Sequence, residues 1–257
     1  MTIVVAMIIA AIVGPVVFRV DPLSIDLANV LAGPSRTHPF GCDGLGRDVL
    51  ARVLWGARLS LSISTVVVAL SLVVGSMVGA IAALSGGRID NLIMRGVDII
   101  LAFPGILLAI ALAAILGSGL IDLEIALTAM GWTGYARIVR GEVLSLRERE
   151  YVLAAESLGA GRSRLLIRHL IPGVVGPLAV QATFGIGGII GAEAALSFLG
   201  LGAQPPTPSW GNMLDAGRAF LLVAPHLTTA PGIAIGVSIL GFNLLGDGIA
   251  QRIGQRT

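Results

Sequence analysis

Lysine is absent from the 257 residues, and all 17 basic side chains are arginine. A phosphate-binding loop of the G-x-x-x-x-G-K-[ST] kind needs that lysine on the nucleotide phosphates, so the chain holds no such loop, and Schiff-base chemistry is equally excluded. The single cysteine, Cys42, rules out an internal disulfide and a thiolate-rich metal cluster. His38, His169 and His226 are far apart and form no H-E-x-x-H pair, and imidazole coordination needs several converging donors. Charge of either sign is scarce, at 12% of residues, against roughly 25% in soluble domains. That leaves too little polar side chain to clothe a water-facing globule. No metal, cofactor or nucleic acid is expected to bind this chain.

What is present is apolar: 55% of residues are hydrophobic and the mean hydropathy is +0.92. The expected fold class is all-α, a polytopic membrane protein with about six transmembrane helices. A spanning helix needs ~20 mostly apolar residues, and five charge-poor stretches are long enough: Met1 to Phe18, Leu59 to Gly87, Ile99 to Ile121, His169 to Ala192 and Ala219 to Gly246. A further span is assembled from Ile125 to Ala136 by adding Gly119 to Glu124 and Ile138 to Arg140, which places acids near one interface and arginines near the other. Pro205, Pro206 and Pro208 mark an ordered loop after about Leu199. The expected organisation is a first transmembrane helix over 1–19, an external loop with an amphipathic helix over 20–58, a five-helix core over 59–249 and a cytoplasmic tail over 250–257.

Cytoplasmic loops hold the excess of positive charge, and with the amino terminus inside, eleven of the seventeen arginines fall on that side, including Arg162 and Arg256. Both termini are therefore expected in the cytoplasm. The first segment lacks a basic n-region and a small-residue cleavage site and reads as an anchor. Glycine is doubly abundant, at 35 residues, and Gly75/Gly79, Gly187/Gly191 and Gly232/Gly236 are small-x-x-x-small pairs that pack helix backbones in lipid. Packing within the chain is the first reading of these pairs, and contact with a partner subunit the second.

About thirty residues, Arg140 to Ile171, separate two spans, far more than a return to the membrane needs. From Arg137 to Arg168 they carry seven Arg against four Glu. Tyr151, Ala154, Ala155 and Leu158 recur at i, i+3, i+4 and i+7, which predicts a helix with one small, mildly apolar face, and Gly159 follows where a helix C-cap belongs. Such a face suits a groove on another protein or an anionic lipid surface. Periodicity alone does not choose between them.

The segment Leu153-Ala154-Ala155-Glu156-Ser157-Leu158-Gly159, with His169-Leu170-Ile171-Pro172 nine residues later, resembles the EAA loop of bacterial ABC importer permeases. The paired alanines, Gly159 and Pro172 match its spacing; Leu153 stands in place of the leading Glu. His38 to Asp48 with Gly56 to Leu61, Ala192 to Gly202 with Gln204 to Gly211, and Phe242 to Gly248 are similar to the C-type permease subunits of dipeptide, oligopeptide and nickel importers, with Cys42 where Thr is usual. The resemblance covers about Asp21 to Ile249. The basic cytoplasmic tail usual before the first span is missing, so the true start is expected to lie upstream.

The resemblance implies the type I ABC importer permease fold in the bacterial inner membrane. It implies a heterodimer with a second homologous permease, two ATPase subunits that hold ATP and Mg, and an extracytoplasmic solute-binding protein. The chain itself is then a translocation subunit and not an enzyme, carrying peptides, nickel chelates, glutathione or opine-like solutes. Tyr151, Ala154, Ala155, Leu158, Gly159 and Pro172 form the ATPase-coupling loop in this reading. Glu193 and Asn243 are candidates for the translocation path, because an ionisable or polar group in a span faces a cavity or a partner; Glu193 also lies near the outer end of its span, where water reaches. Arg47 and Trp210 are read either as interface packing and aromatic anchoring or as a docking surface for the binding protein. Asp98 and Asp247 read as structural, and His169 as a packing residue.

Other functions fare worse. Leu116-Gly117-Ser118-Gly119 and Leu244-Leu245-Gly246-Asp247 each lack the first glycine of the rhomboid and intramembrane aspartyl-protease signatures. A self-contained secondary transporter would leave the long cytoplasmic loop without purpose, and the inverted repeats that mark many such transporters are not evident.

Overall fold

Lipid offers no partner for backbone N–H and C=O groups, so the apolar stretches satisfy them internally as helices. The computed structural model of the protein describes residues 2–254, with side-chain surroundings for all of these except 162, 163 and 254. Met1, the end of the tail with Arg256, and the side chain of Arg162 lie outside the described residues. The helices are α1 (Thr2–Phe18), α2 (Val49–Ser85), α3 (Gly87–Ala102), α4 (Gly105–Leu116), α5 (Leu120–Arg147), α6 (Glu150–Ser157), α7 (Arg162–Leu165), α8 (Ile171–Phe198), α9 (Trp210–Arg218) and α10 (His226–Gly254). A 3-10 turn (Leu27–Asn29) lies in the loop after α1, and a π-helical turn (Leu166–Leu170) runs into α8. No strand occurs among the described residues.

Three helices are long and apolar enough to cross a membrane: α2, α8 with its π turn, and α10. A fourth crossing results if α3 and α4 count as one broken span. The stretch Ile99 to Ile121 is thus not the single straight span expected from its lack of charge. Pro104 drives the residue before it out of the helical region, Phe103 sits at φ −83°, ψ 139°, and the two helices meet at 89°. Counting charges passed over the proline. α5 is 28 residues long but carries charge at both ends, including Asp122 and Arg147.

The amphipathic helix expected within 20–58 is continuous with the following span: α2 starts at Val49, within the last ten residues of that segment, because Asp48 caps it, its carboxylate accepting from the Ala51 amide at 2.8 Å and lying 2.8 Å from His38 Nδ1. The residues between α1 and α2 fold on themselves. Asp43 Oδ2 accepts from Arg47 Nε at 2.7 Å, Arg52 Nη1 donates to the Pro22 carbonyl at 3.1 Å, and Val49 N–H donates to Gly41 O at 3.0 Å.

Cys42 is fully enclosed in this loop. Burial, then the carboxylates of Asp48, Asp43 and Asp26, push its thiol pKa up, away from the reactive thiolate. A hydrophilic maleimide at neutral pH should therefore leave the native protein unlabelled and modify one thiol per chain in denaturing detergent. Stoichiometric labelling of the native protein would contradict this loop structure.

α2 is the central helix. Its C-terminal half presents Gly75 and Gly79 to α5, where a Cβ on Gly75 would stand 2.4 Å from Trp132 O and one on Gly79 2.4 Å from Ala136 O. Gly187 and Gly191 likewise face α10, against Ile239. These two pairs pack within the chain. Gly236 meets no neighbour of its own chain.

Three buried clusters follow the long axis. Trp210 and Met213 of α9 join Val49, Val53 and Phe242 at one end. Leu123 and Leu127 of α5 join Ile63, Val67 and Leu196. At the opposite end Val139 and Val143 meet Val152, Leu165, Leu170 and Val174.

Candidate functional site

The connection between α5 and α8 is shorter and more ordered than the sequence implies. Arg140 to Arg147 continue α5, and Ile171 and Pro172 already belong to α8, with Pro172 in the first turn, where its missing N–H costs nothing. What remains is α6, α7 and the π turn. Two arginines of α5 fix the base of this region: Arg140 makes a two-pronged pair with Asp90 of α3 at 2.5 and 2.6 Å, and Arg147 donates to the Ala83 carbonyl at the end of α2 at 3.0 Å. Arg137 of α5 pairs with Asp98 of α3, both more than half exposed.

α6 is seated by one side chain, Val152, 2% exposed among Val143, Leu165 and Leu170. It ends in a Schellman motif: Gly159 N–H donates to Glu156 O at 2.9 Å, Ala160 N–H to Ala155 O at 3.1 Å, and Gly159 lies at φ +83°. Open space surrounds Gly159. The expected face divides. Ala155 turns inward against the cluster of Val139, Val143 and Val152, which takes it off the outer face, while Tyr151, Ala154 and Leu158 are exposed. Tyr151 stands beside His169, ring centres 6.3 Å apart. Leu158 is 90% exposed, and Leu153 is exposed beside it. The inward residue Val152 was missed, although it is apolar and out of phase with the recognised face.

The other candidates fall into different surroundings. Glu193 is fully enclosed, six residues before the end of α8 counted inclusively from Phe198. Ser60 Oγ of α2 donates to it at 2.9 Å, Ser197 Oγ at 2.8 Å, and the hydroxyl of Ser209 reaches the same carboxyl group. The acid ties α2, α8 and the start of α9 together inside the chain. Of its partners only Ser197, one turn on, was readable from spacing. Asn243 is half-buried against Gly187 in the contact between α10 and α8.

Trp210 is 1% exposed, and its indole N–H donates to Val53 O at 3.0 Å. The ring lies across Gly56, where a Cβ would approach to 2.8 Å. It is neither a surface anchor nor a docking residue, because its whole face is used against α2. Arg47 is half-buried and paired with Asp43, lining a cavity of about 290 Å³ between the α1–α2 loop and α9.

Residues 71–257 match the family described as binding-protein-dependent transport system inner membrane component. The chain belongs to this family. The permease is 45% identical over 228 residues to the glutathione transport system permease protein GsiD of Shigella dysenteriae serotype 1, covering 89% of this chain and 75% of that relative. It is 43% identical over 251 residues to the dipeptide transport system permease protein DppC of Alkalihalophilus pseudofirmus, covering 98% and 83%. In fold it is similar to a chain of the inward-facing MetNI methionine ABC transporter, with a TM-score of 0.64 at 18% identity over 78% of the permease and 95% of that chain.

Proposed function

We propose that this permease forms half of the translocation pathway of an ATP-driven importer for peptides or a related small solute, glutathione included. A second homologous permease forms the other half. Two ATPase subunits hold ATP and Mg and drive the pathway through α6, and an extracytoplasmic binding protein delivers the solute. In this reading α1, α2, the broken pair α3 and α4, α5, α8 and α10 make six crossings with both termini in the cytoplasm. The observation that carries it is α6: a two-turn helix with one fully buried side chain, Val152, that leaves Ala154 and Leu158 exposed and Tyr151 half exposed beside His169. Glycine at φ +83° ends it sharply and leaves that end open.

Purification of a tagged copy from its host in mild detergent tests this. Mass spectrometry is expected to find a second permease and P-loop ATPases with it. A homo-oligomer with no ATPase would overturn the assignment in favour of a transporter driven by an ion gradient.

A further inference from the structure

Three arginines stand near the start of α2, and two are claimed by the loop above them. Arg47 and Arg52 both lie within reach of Asp43, and Arg52 also donates to the Pro22 carbonyl. The third, Arg58, is exposed, and among the described residues no carboxylate pairs with it. Its guanidinium sits over the Trp55 ring, 5.8 Å from the centroid. Tryptophan beside a cation at the end of a long apolar run marks the headgroup level of a membrane, and from Leu59 to Ser85 the helix has no further charge.

Arg58 also lines a crevice of about 550 Å³ between α1 and α2. Its walls are Ile8 and Ile12 of α1 and Leu61 and Val66 of α2, and Ile186 and Phe242 close its floor. Polarity is confined to one side, at Arg58, Ser62 and Thr65. Arg58 to Val66 covers about 12 Å along the helix at ~1.5 Å per residue, so the crevice runs from headgroup level into the hydrocarbon. A second groove of about 280 Å³ shares Arg58 and Ser62 and extends the other way, between Trp55 and Thr207. An unpaired cation thus joins an apolar slot on the lipid side to a groove on the loop side. That is the outline of an amphiphile with an anionic head.

We propose that this crevice binds an anionic phospholipid, its phosphate on Arg58 and one acyl chain between α1 and α2. Charge complementarity selects the head: the site offers one positive charge and no carboxylate for the choline of a zwitterionic lipid. The lipid would fill the gap beside Phe242 and couple α1 to the α2–α10 contact. The proposal rests on α2 crossing the membrane and not on the importer assembly.

The test uses the permease purified as its membrane complex, stripped of bound lipid and titrated with phosphatidylglycerol or phosphatidylcholine, with retained lipid counted by native mass spectrometry. One phosphatidylglycerol per permease is expected, held at least tenfold more weakly by Arg58→Gln and unchanged by Arg218→Gln, another exposed arginine. Equal retention by the wild type and Arg58→Gln would overturn the proposal. A photoreactive residue at Ile12, which is 62% exposed, supplies a readout independent of the Arg58 variant's folding: crosslinks to an acyl chain support the site, and crosslinks to a second polypeptide overturn it.

Discussion

Replacing Gly79 with leucine is expected to remove the folded permease from the membrane, while the same change at Gly236 leaves it in place. The two glycines sit in similar apolar helices but face different things. A Cβ at Gly79 would stand 2.4 Å from Ala136 O and 3.0 Å from Val139 Cβ, so the obstacle is the backbone of α5, which cannot rotate away. Around Gly236 nothing lies within 4 Å. Overpacking against movable side chains costs about 1–3 kcal/mol, and here relief requires α2 and α5 to separate along the contact at Gly75 and Gly79. Gly79→Ala should fall near the top of that range, against total stabilities of ~5–15 kcal/mol. Size-exclusion chromatography of a fluorescently tagged permease separates the outcomes. A sharp peak for Gly79→Leu would mean that the α2–α5 approach is not close.

That contact was legible in the sequence because its signal is local: two glycines four apart in an apolar run. So was the end of α8 near Leu199, where three prolines within four residues follow. The break at Phe103 was equally local and was passed over, since charge was counted there in place of backbone geometry. Features that join distant parts of the chain left no such trace. Asp90 and Arg140 are fifty residues apart, and Ser60 meets Glu193 across 133. Glu193 shows the consequence: a lone acid in a span reads as a pathway residue until the hydroxyls that enclose it are known. Trp210 and Arg47 follow the same logic, since an interfacial tryptophan and a buried one have the same neighbours in sequence. On α6 Tyr151, Ala154 and Leu158 are exposed and Ala155 is packed, because a stripe at i, i+3, i+4 and i+7 spans enough of a short helix for one member to reach the packed side.

Leu158→Glu is expected to leave the permease folded and cut solute uptake by more than tenfold. Leu158 is 90% exposed and takes part in none of the three buried clusters, so a surface substitution there should change the chain's own stability by no more than about 0.5 kcal/mol. If α6 inserts into an ATPase, as proposed, the same side chain becomes an apolar anchor, and an anchor in a protein interface is worth ~2 kcal/mol or more, about 30-fold in affinity. Glutamate adds a charge that must be desolvated. Gly159→Arg should give the same phenotype by a different route, because an L residue at φ +83° is strained by about 1–2 kcal/mol and the new side chain projects into the space beyond the helix end. Gly159→Ala carries the strain without the bulk and should lie between the wild type and Gly159→Arg. The decisive comparison is uptake against ATP hydrolysis in reconstituted vesicles. Loss of both with Leu158→Glu means that docking is lost; hydrolysis that continues without uptake means that the ATPases still dock but no longer drive the spans. Wild-type uptake by both Leu158→Glu and Gly159→Arg would remove α6 from the coupling path, because no other property of these two exposed positions protects transport from a charge placed there.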